Sequence, residues 1–276
     1  MAEVSVIIPT YNRARKVARA IASVLYQTFP DYEIIVVDDG SRDDTARSLH
    51  LLHPHLVHLT HKENRGVSAA RNTGIKASSA PLIAFLDSDD YWLPEKLAVQ
   101  AAFFKANPKA VACQTQERWI RRGRPVNPGK KHLKPSGLIF EPSLKLCLVS
   151  PSAAMVRRSL LDEVGLFDET LPVCEDYDLW LRISCRHPIH LLDRVLVIKE
   201  GGAPDQLSRS MAGMDRFRIQ SMARLLQGAR LTRAQARALL DELTAKCEVY
   251  GNGCIKRNRI GEGQRYLELP SKLRSL

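Results

Sequence analysis

Residues 4–41 read VSVIIPTYNRARKVARAIASVLYQTFPDYEIIVVDDGS. VSVIIP (4–9) is a short, β-branched apolar run, the pattern of a strand covered on both faces. After the TYNR loop, Val17, Ile21, Val24 and Leu25 recur at helical spacing and predict an amphipathic helix ending near Gln27. EIIVVDDGS (33–41) is a second buried strand that stops at two aspartates and a glycine. Strand, helix and strand at this spacing call for a right-handed crossover and parallel pairing.

The same alternation continues toward the C-terminus. Asp43 or Asp44 can cap a helix through His50. LVHLT (56–60) is a weaker third strand, and ENRGVSAARNTGIKAS (63–78) is a turn followed by an alanine-rich helix. PLIAFLD (81–87) is a fourth strand, LPEKLAVQAAFFKAN (93–107) a helix with Pro94 in its first turn, and AVACQTQ (110–116) a fifth strand. The expected class is therefore α/β, a mainly parallel sheet flanked by helices. Ligands of such sheets sit beyond the carboxyl ends of the strands. Three of those ends carry PTYNR, DDGS and DSDD, which is where a site is expected.

From Ser136 the pattern loosens. SAAMVRRSLLDEVGLFDE (152–169) suggests a strand, a short helix and a glycine turn; EDYDLWLRISCRH (175–187) suggests a helix opened by acids; IHLLDRVLVIKEGG (189–202) supplies one or two strands. Beyond Ser210 the signals are helical. The expected division is 1–210 as the main domain and 211–276 as a helical appendage.

The bulk composition narrows the class. With 276 residues, 45% hydrophobic and 26% charged, the chain has the make-up of an ordinary globular protein. No stretch approaches the roughly 18 apolar residues of a membrane-spanning helix. MAEVSVIIPTYN lacks the basic start and apolar core of a secretion signal, which points to the cytoplasm. Six scattered cysteines without a CxxC pair read as reduced thiols. The net charge is +11, and RWIRRGRPVNPGKKHLK (118–134) holds seven Lys and Arg with no acid. A solvated basic loop and a contact with anionic lipid are both consistent with that run. A nucleic-acid partner is not expected, because basic and aromatic residues do not alternate.

FLDSDDYW (85–92) sets Asp87, Asp89 and Asp90 within four residues, a repulsion that water or a cation must relieve. Hard oxygen ligands after a buried strand suit Mg²⁺ or Mn²⁺; capping the next helix or facing water are the other fates. Arg13, Arg71 and Lys62 are available for phosphates. Walker A and GxGxxG patterns are absent, so neither a P-loop enzyme nor a dinucleotide-binding domain is supported.

Taken in order, residues 4–45, NRGVSAARNTGI (64–75) and LIAFLDSDDYWLPEKL (82–97) resemble glycosyltransferase family 2, inverting enzymes with a GT-A fold, over roughly residues 3 to 208. The resemblance implies a nucleotide-sugar donor and a carbohydrate or lipid-linked acceptor. It implies that Pro9, Thr10, Tyr11 and Arg13 line the base and ribose, that Asp39 binds the uracil ring, and that Arg71 helps hold the nucleotide. Asp87 and Asp89 would bind ribose and metal, with Ser88 between them in the nucleotide-sugar set. Glu175-Asp176 resembles the family's ED motif, with Asp176 as catalytic base and Glu175 at the acceptor. Separately, Trp180 lies one helical turn from Asp176 on the same face, and as an aromatic that can stack on a sugar it is expected as an acceptor-site wall. Without the resemblance, Glu175 and Asp176 need only favour a helix N-terminus, and buried packing is the commoner fate of Trp92 and Trp180. GGAPDQLSRS (201–210) resembles a family stretch with histidine where Ala203 stands, and Gln206 and Ser208 are candidates for diphosphate or acceptor contact. Two other readings remain: a sugar nucleotidyltransferase, which would need a glycine-rich loop after the first strand, and a basic docking module without catalysis.

Overall fold

The computed structural model describes residues 2–52, 56–127, 129–202, 211 and 213–274. Among these residues nine strands form one sheet. β1 (Val4–Thr10) has all seven residues buried and pairs in parallel with β2 (Tyr32–Asp38) on one side and β4 (Leu82–Phe85) on the other. β3 (Val57–Thr60) adds to β2 in the same direction. The register sets Thr10 opposite Asp38 and Ile7 opposite Phe85, so the loops after these strands open on one rim.

Alternating side chains of β1 feed two layers. Val6 and Ile8 pack with α1 (Ala14–Leu25), α2 (Thr45–Leu52) and α4 (Lys96–Ala106) through Val17, Ile21, Leu49, Leu97 and Phe104. Ile7 packs on the opposite face with α3 (Val67–Ala77), α6 (Arg158–Val164) and α7 (Glu175–Ser184) through Ile75, Leu160, Leu179 and Ile183. Gly74 lets α3 approach closely, since a Cβ there would lie 2.5 Å from Ile7 Cγ2.

The expected parallel pairing holds from β3 to β4, and the sheet is mixed beyond it. β8 (Ala154–Arg157) runs antiparallel to β4 and to β6 (Ala112–Arg121). β9 (His190–Gly201) returns parallel to β6 and antiparallel to β5 (Tyr91–Trp92). The run 118–134 is not simply an open loop. It begins as the end of β6, turns at Arg122 and Gly123, and comes back as β7 (Arg124–Val126). Lys134, at its end, pairs with the buried Glu117 at 3.0 Å.

The C-terminal helices α8 (Asp215–Gly228), α9 (Arg233–Lys256) and α10 (Ile260–Arg274) follow the expected helical pattern. They share a core with α5 (Phe140–Lys145) and α7: Phe140, Leu144, Tyr177 and Leu181 pack in one cluster with Phe217, Met222, Leu243 and Cys247. A Thr232–Gln235 capping box starts α9, and Gln235 Nε2 donates to the Cys185 carbonyl at the end of α7, 2.9 Å away. The appendage thus braces the helix that carries Glu175 and Asp176. All six cysteines are unbridged thiols, and no described helix is long and apolar enough to cross a membrane.

Candidate active site

A cleft of about 1030 Å³ opens on the rim formed by the ends of β1, β2 and β4. Pro9, Thr10, Tyr11 and Arg13 lie in its wall, as do Asp39, Arg71, Asp87, Ser88, Asp89, Glu175 and Asp176. Hydrogen bonds stitch the first two loops together. The Asn12 N–H donates to Ser41 Oγ (2.8 Å), and Asn12 Oδ1 accepts from the Arg42 N–H (2.7 Å). Gly40 is required in the DDGS turn: its φ is +76°, and a Cβ would lie 2.6 Å from the Glu63 backbone.

Asp39 sits where β2 meets the start of α3. Its carboxylate accepts from the Arg65 and Gly66 N–H groups at 2.9 and 2.8 Å. His61 Nδ1 stands 2.6 Å from Asp39 Oδ1, with Nε2 at 2.9 Å from Thr73 Oγ1. A carboxylate can only accept, so His61 carries a proton on Nδ1 toward it. Among the described residues the helix start and one ring therefore orient Asp39, a support that no local pattern around His61 signals.

The repulsion within DSDD is relieved by giving each acid its own partner. Arg71, itself 3% exposed, forks between Asp87 Oδ1 (2.7 Å) and Glu175 Oε1 (2.6 Å). Arg13 pairs with Asp89 Oδ2 at 3.0 Å. Asp90 is buried and accepts from Ser152 Oγ at 2.7 Å. Burial would lift the Asp87 carboxyl, but Arg71, helped by Lys199 and Arg13, brings it below the usual carboxylate range. Burial lifts Asp90 well above that range against the pull of Lys199. Glu175 is pushed up to about 7 by burial and by the adjacent Asp176, against the pull of Arg71.

Asp176 faces the cleft from the first turn of α7, with the Tyr177 N–H donating to its Oδ1 at 2.7 Å. Cys147 stands against the same carboxylate. Trp180 departs from expectation. It is 2% exposed, packed in the core with Phe85 and Leu160, and does not line the cleft. Eight of the ten residues of α7 are buried, so only its N-terminal turn reaches the rim and the face one turn on looks into the core. Trp92 is core as well, with Nε1 donating to the Ser152 carbonyl at 2.8 Å and Lys96 Nζ over its ring. Lys62 is exposed and does not line the cleft; Arg65 does. Ala203, Gln206 and Ser208 fall outside the described residues. Three of the unexpected contributors stand out. Lys199 enters the wall from β9, and Met211 and Met214 add an apolar side ahead of α8. A lysine directly after the apolar run VLVI (195–198) was the available signal for the first.

Among the described residues, no group of three or more His, Cys, Asp or Glu side chains is placed to hold an ion alone. Asp87 and Asp89 each commit one oxygen to an arginine, which leaves each a second. Two carboxylates completed by water and substrate phosphates form the donor set that Mg²⁺ or Mn²⁺ accepts, so these residues fit the ion.

Residues 5–165 match the model of the family described as Glycosyl transferase family 2. The chain belongs to glycosyl transferase family 2. The family-2 match ends ahead of α7 and β9, so Glu175, Asp176 and Lys199 lie outside it. A Rickettsia felis protein described as an uncharacterized glycosyltransferase is 34% identical over 195 residues, 70% of this chain and 32% of that relative. Escherichia coli WfgD, a UDP-Glc:alpha-D-GlcNAc-diphosphoundecaprenol beta-1,3-glucosyltransferase, is 34% identical over 181 residues, 65% of this chain and 69% of WfgD. The chain thus spans about a third of the Rickettsia felis relative's length. Staphylococcus aureus TarS 1-349, in complex with UDP-GlcNAc, superimposes with a TM-score of 0.78 at 23% identity, over 98% of this chain and 79% of TarS. That likeness is one of fold, the GT-A fold with helices after the sheet.

Proposed function

We propose that the cleft transfers a sugar from a UDP-sugar to an acceptor hydroxyl with inversion at the anomeric carbon. One observation carries this reading: Asp87 and Asp89, from the end of a parallel strand, line the same cleft as Asp176 on a separate helix. Pro9, Thr10, Tyr11 and Arg13 would face base and ribose, Asp39 the uracil ring, and Asp87 with Ser88 the ribose. Asp87 and Asp89 would hold Mg²⁺ or Mn²⁺. Bound there, the ion would offset negative charge on the diphosphate. Asp176 takes the proton of the acceptor hydroxyl as its oxygen bonds to the anomeric carbon. The bond from that carbon to the diphosphate oxygen breaks, and its electron pair leaves on the phosphate. Arg71 would help hold the nucleotide and Glu175 would support or contact the acceptor, with the Arg71 guanidinium bridging Asp87 and Glu175.

Residues 1–210 would form this catalytic unit, with 211–276 bracing α7. A lipid-linked acceptor in cell-envelope polysaccharide synthesis is supported by what WfgD is named for. Melting the protein with UDP-, GDP- and dTDP-sugars plus Mn²⁺ tests the donor. A UDP-sugar at about 100 Kd stabilises by about 2.7 kcal/mol, a rise of several degrees; no rise with any of them sinks the proposal. Donor turnover that survives EDTA in full removes the metal.

A cytoplasmic protein peripheral to the inner face of the membrane fits the surface as well. Arg118, Arg121, Arg122 and Arg124 are exposed on the β6–β7 hairpin, and Leu133 and Leu138 nearby are 70% and 81% exposed. Phosphatidylglycerol vesicles should sediment the protein and phosphatidylcholine vesicles should not; equal sedimentation removes the membrane contact.

A further inference from the structure

The cations that line the cleft differ in how their charge is used. Arg13 is paired with Asp89, Arg65 with Glu169, and Arg71 with both Asp87 and Glu175. Lys199 alone among the described cleft cations has no direct ion pair. Its Nζ donates to Ser150 Oγ at 3.1 Å and lies 6.0 Å from the centre of the Trp119 ring. An ammonium has three donors, so two remain for another partner. The charge is nonetheless firmly held. Burial opposes it, but Glu117 on β6, with Asp90, Asp87 and Asp176, raises Lys199 above the usual lysine range. Those four carboxylates act from further than an ion-pair contact. Their arrangement fixes a positive charge in the cleft wall beside the acids of the DSDD loop.

We propose that Lys199 is a fixed cation for the donor's diphosphate, donating to a phosphate oxygen from the cleft wall. Lysine binds phosphate as a point charge on a flexible stem, and Ser150 restrains that stem here. The consequence is a part of diphosphate affinity that needs no divalent ion. On cleavage the same ammonium would face the charge left on the departing phosphate, with no proton transferred.

This rests on the nucleotide-diphosphate reading of the cleft, and calorimetry with UDP and with uridine, both in EDTA, separates the two. The wild-type protein should bind UDP more tightly than uridine without metal. Lys199→Met should weaken UDP by about tenfold or more, the scale of a lost charged hydrogen bond, and leave uridine unchanged. Lys199→Arg should keep UDP within about threefold, because the charge is retained. If wild-type protein binds UDP no better than uridine in EDTA, or Lys199→Met binds UDP as wild type does, the proposal falls and the cleft reading stands. If Lys199→Met weakens uridine as much as UDP, Lys199 is structural and the proposal also falls. Failure of the wild type to bind either ligand, with or without Mn²⁺, overturns the cleft reading itself.

Discussion

Asp176→Asn lowers turnover of the sugar donor by about a thousandfold, within the range of a lost general base, while UDP binding stays within about threefold. The substitution is nearly isosteric. Asn can still accept the Tyr177 N–H that holds Asp176 Oδ1 at 2.7 Å, so the start of α7 keeps its shape. What it cannot do is take a proton from an acceptor hydroxyl. UDP binding is spared because the groups proposed to hold the nucleotide come from the loops after β1, β2 and β4, from α3 and from β9, not from α7. Single-turnover measurements of UDP release, beside calorimetry of UDP binding, check both halves. Turnover within tenfold of wild type, or loss of UDP binding in a variant of unchanged melting temperature, removes Asp176 as the base.

Arg71→Met destabilises the protein by about 3–5 kcal/mol, because it strands two carboxylates that one buried guanidinium now serves. The deficit depends on pH, and its sign follows from Glu175. Folding raises that carboxyl from 4.5 to about 7, so the folded state binds more protons between those values and stability falls as pH rises through the window. Arg71 opposes that fall. Without it, Glu175 is more costly to ionise, so the deficit is largest above pH 7 and shrinks toward pH 5, where Glu175 is protonated. Asp87 behaves oppositely, with a lowered carboxyl whose contribution is lost only at more acidic pH, so part of the deficit persists at pH 5. Urea unfolding at pH 5 and pH 8 measures the difference. A deficit below about 1 kcal/mol at both, or one equal at both, contradicts the role given to the fork.

The fold was legible where local pattern and tertiary need coincide. VSVIIP, EIIVVD and LIAF are apolar because they are covered on both faces, so their strands and the helices between them could be read directly. Strand-end acids were legible for the same reason, since a carboxylate that closes a buried run must reach the rim. β5 was not legible, because two residues carry no period and exist as a strand only through pairing with β9. Nor was the β6–β9 pairing, whose partners Cys113 and His190 lie far apart in the chain. Composition also hid the basic hairpin, because exposed arginines read alike in a loop and at a solvent edge.

What the sequence determined by itself is the order of strands and helices and the residue types at their rims, both set by interactions between near neighbours. Only the tertiary structure decided partnership. It set Arg71 as a fork between Asp87 and Glu175, sent Trp180 into the core, and brought Lys199 to the cleft. Charge and burial act through distance in space, and the chain states only distance along itself.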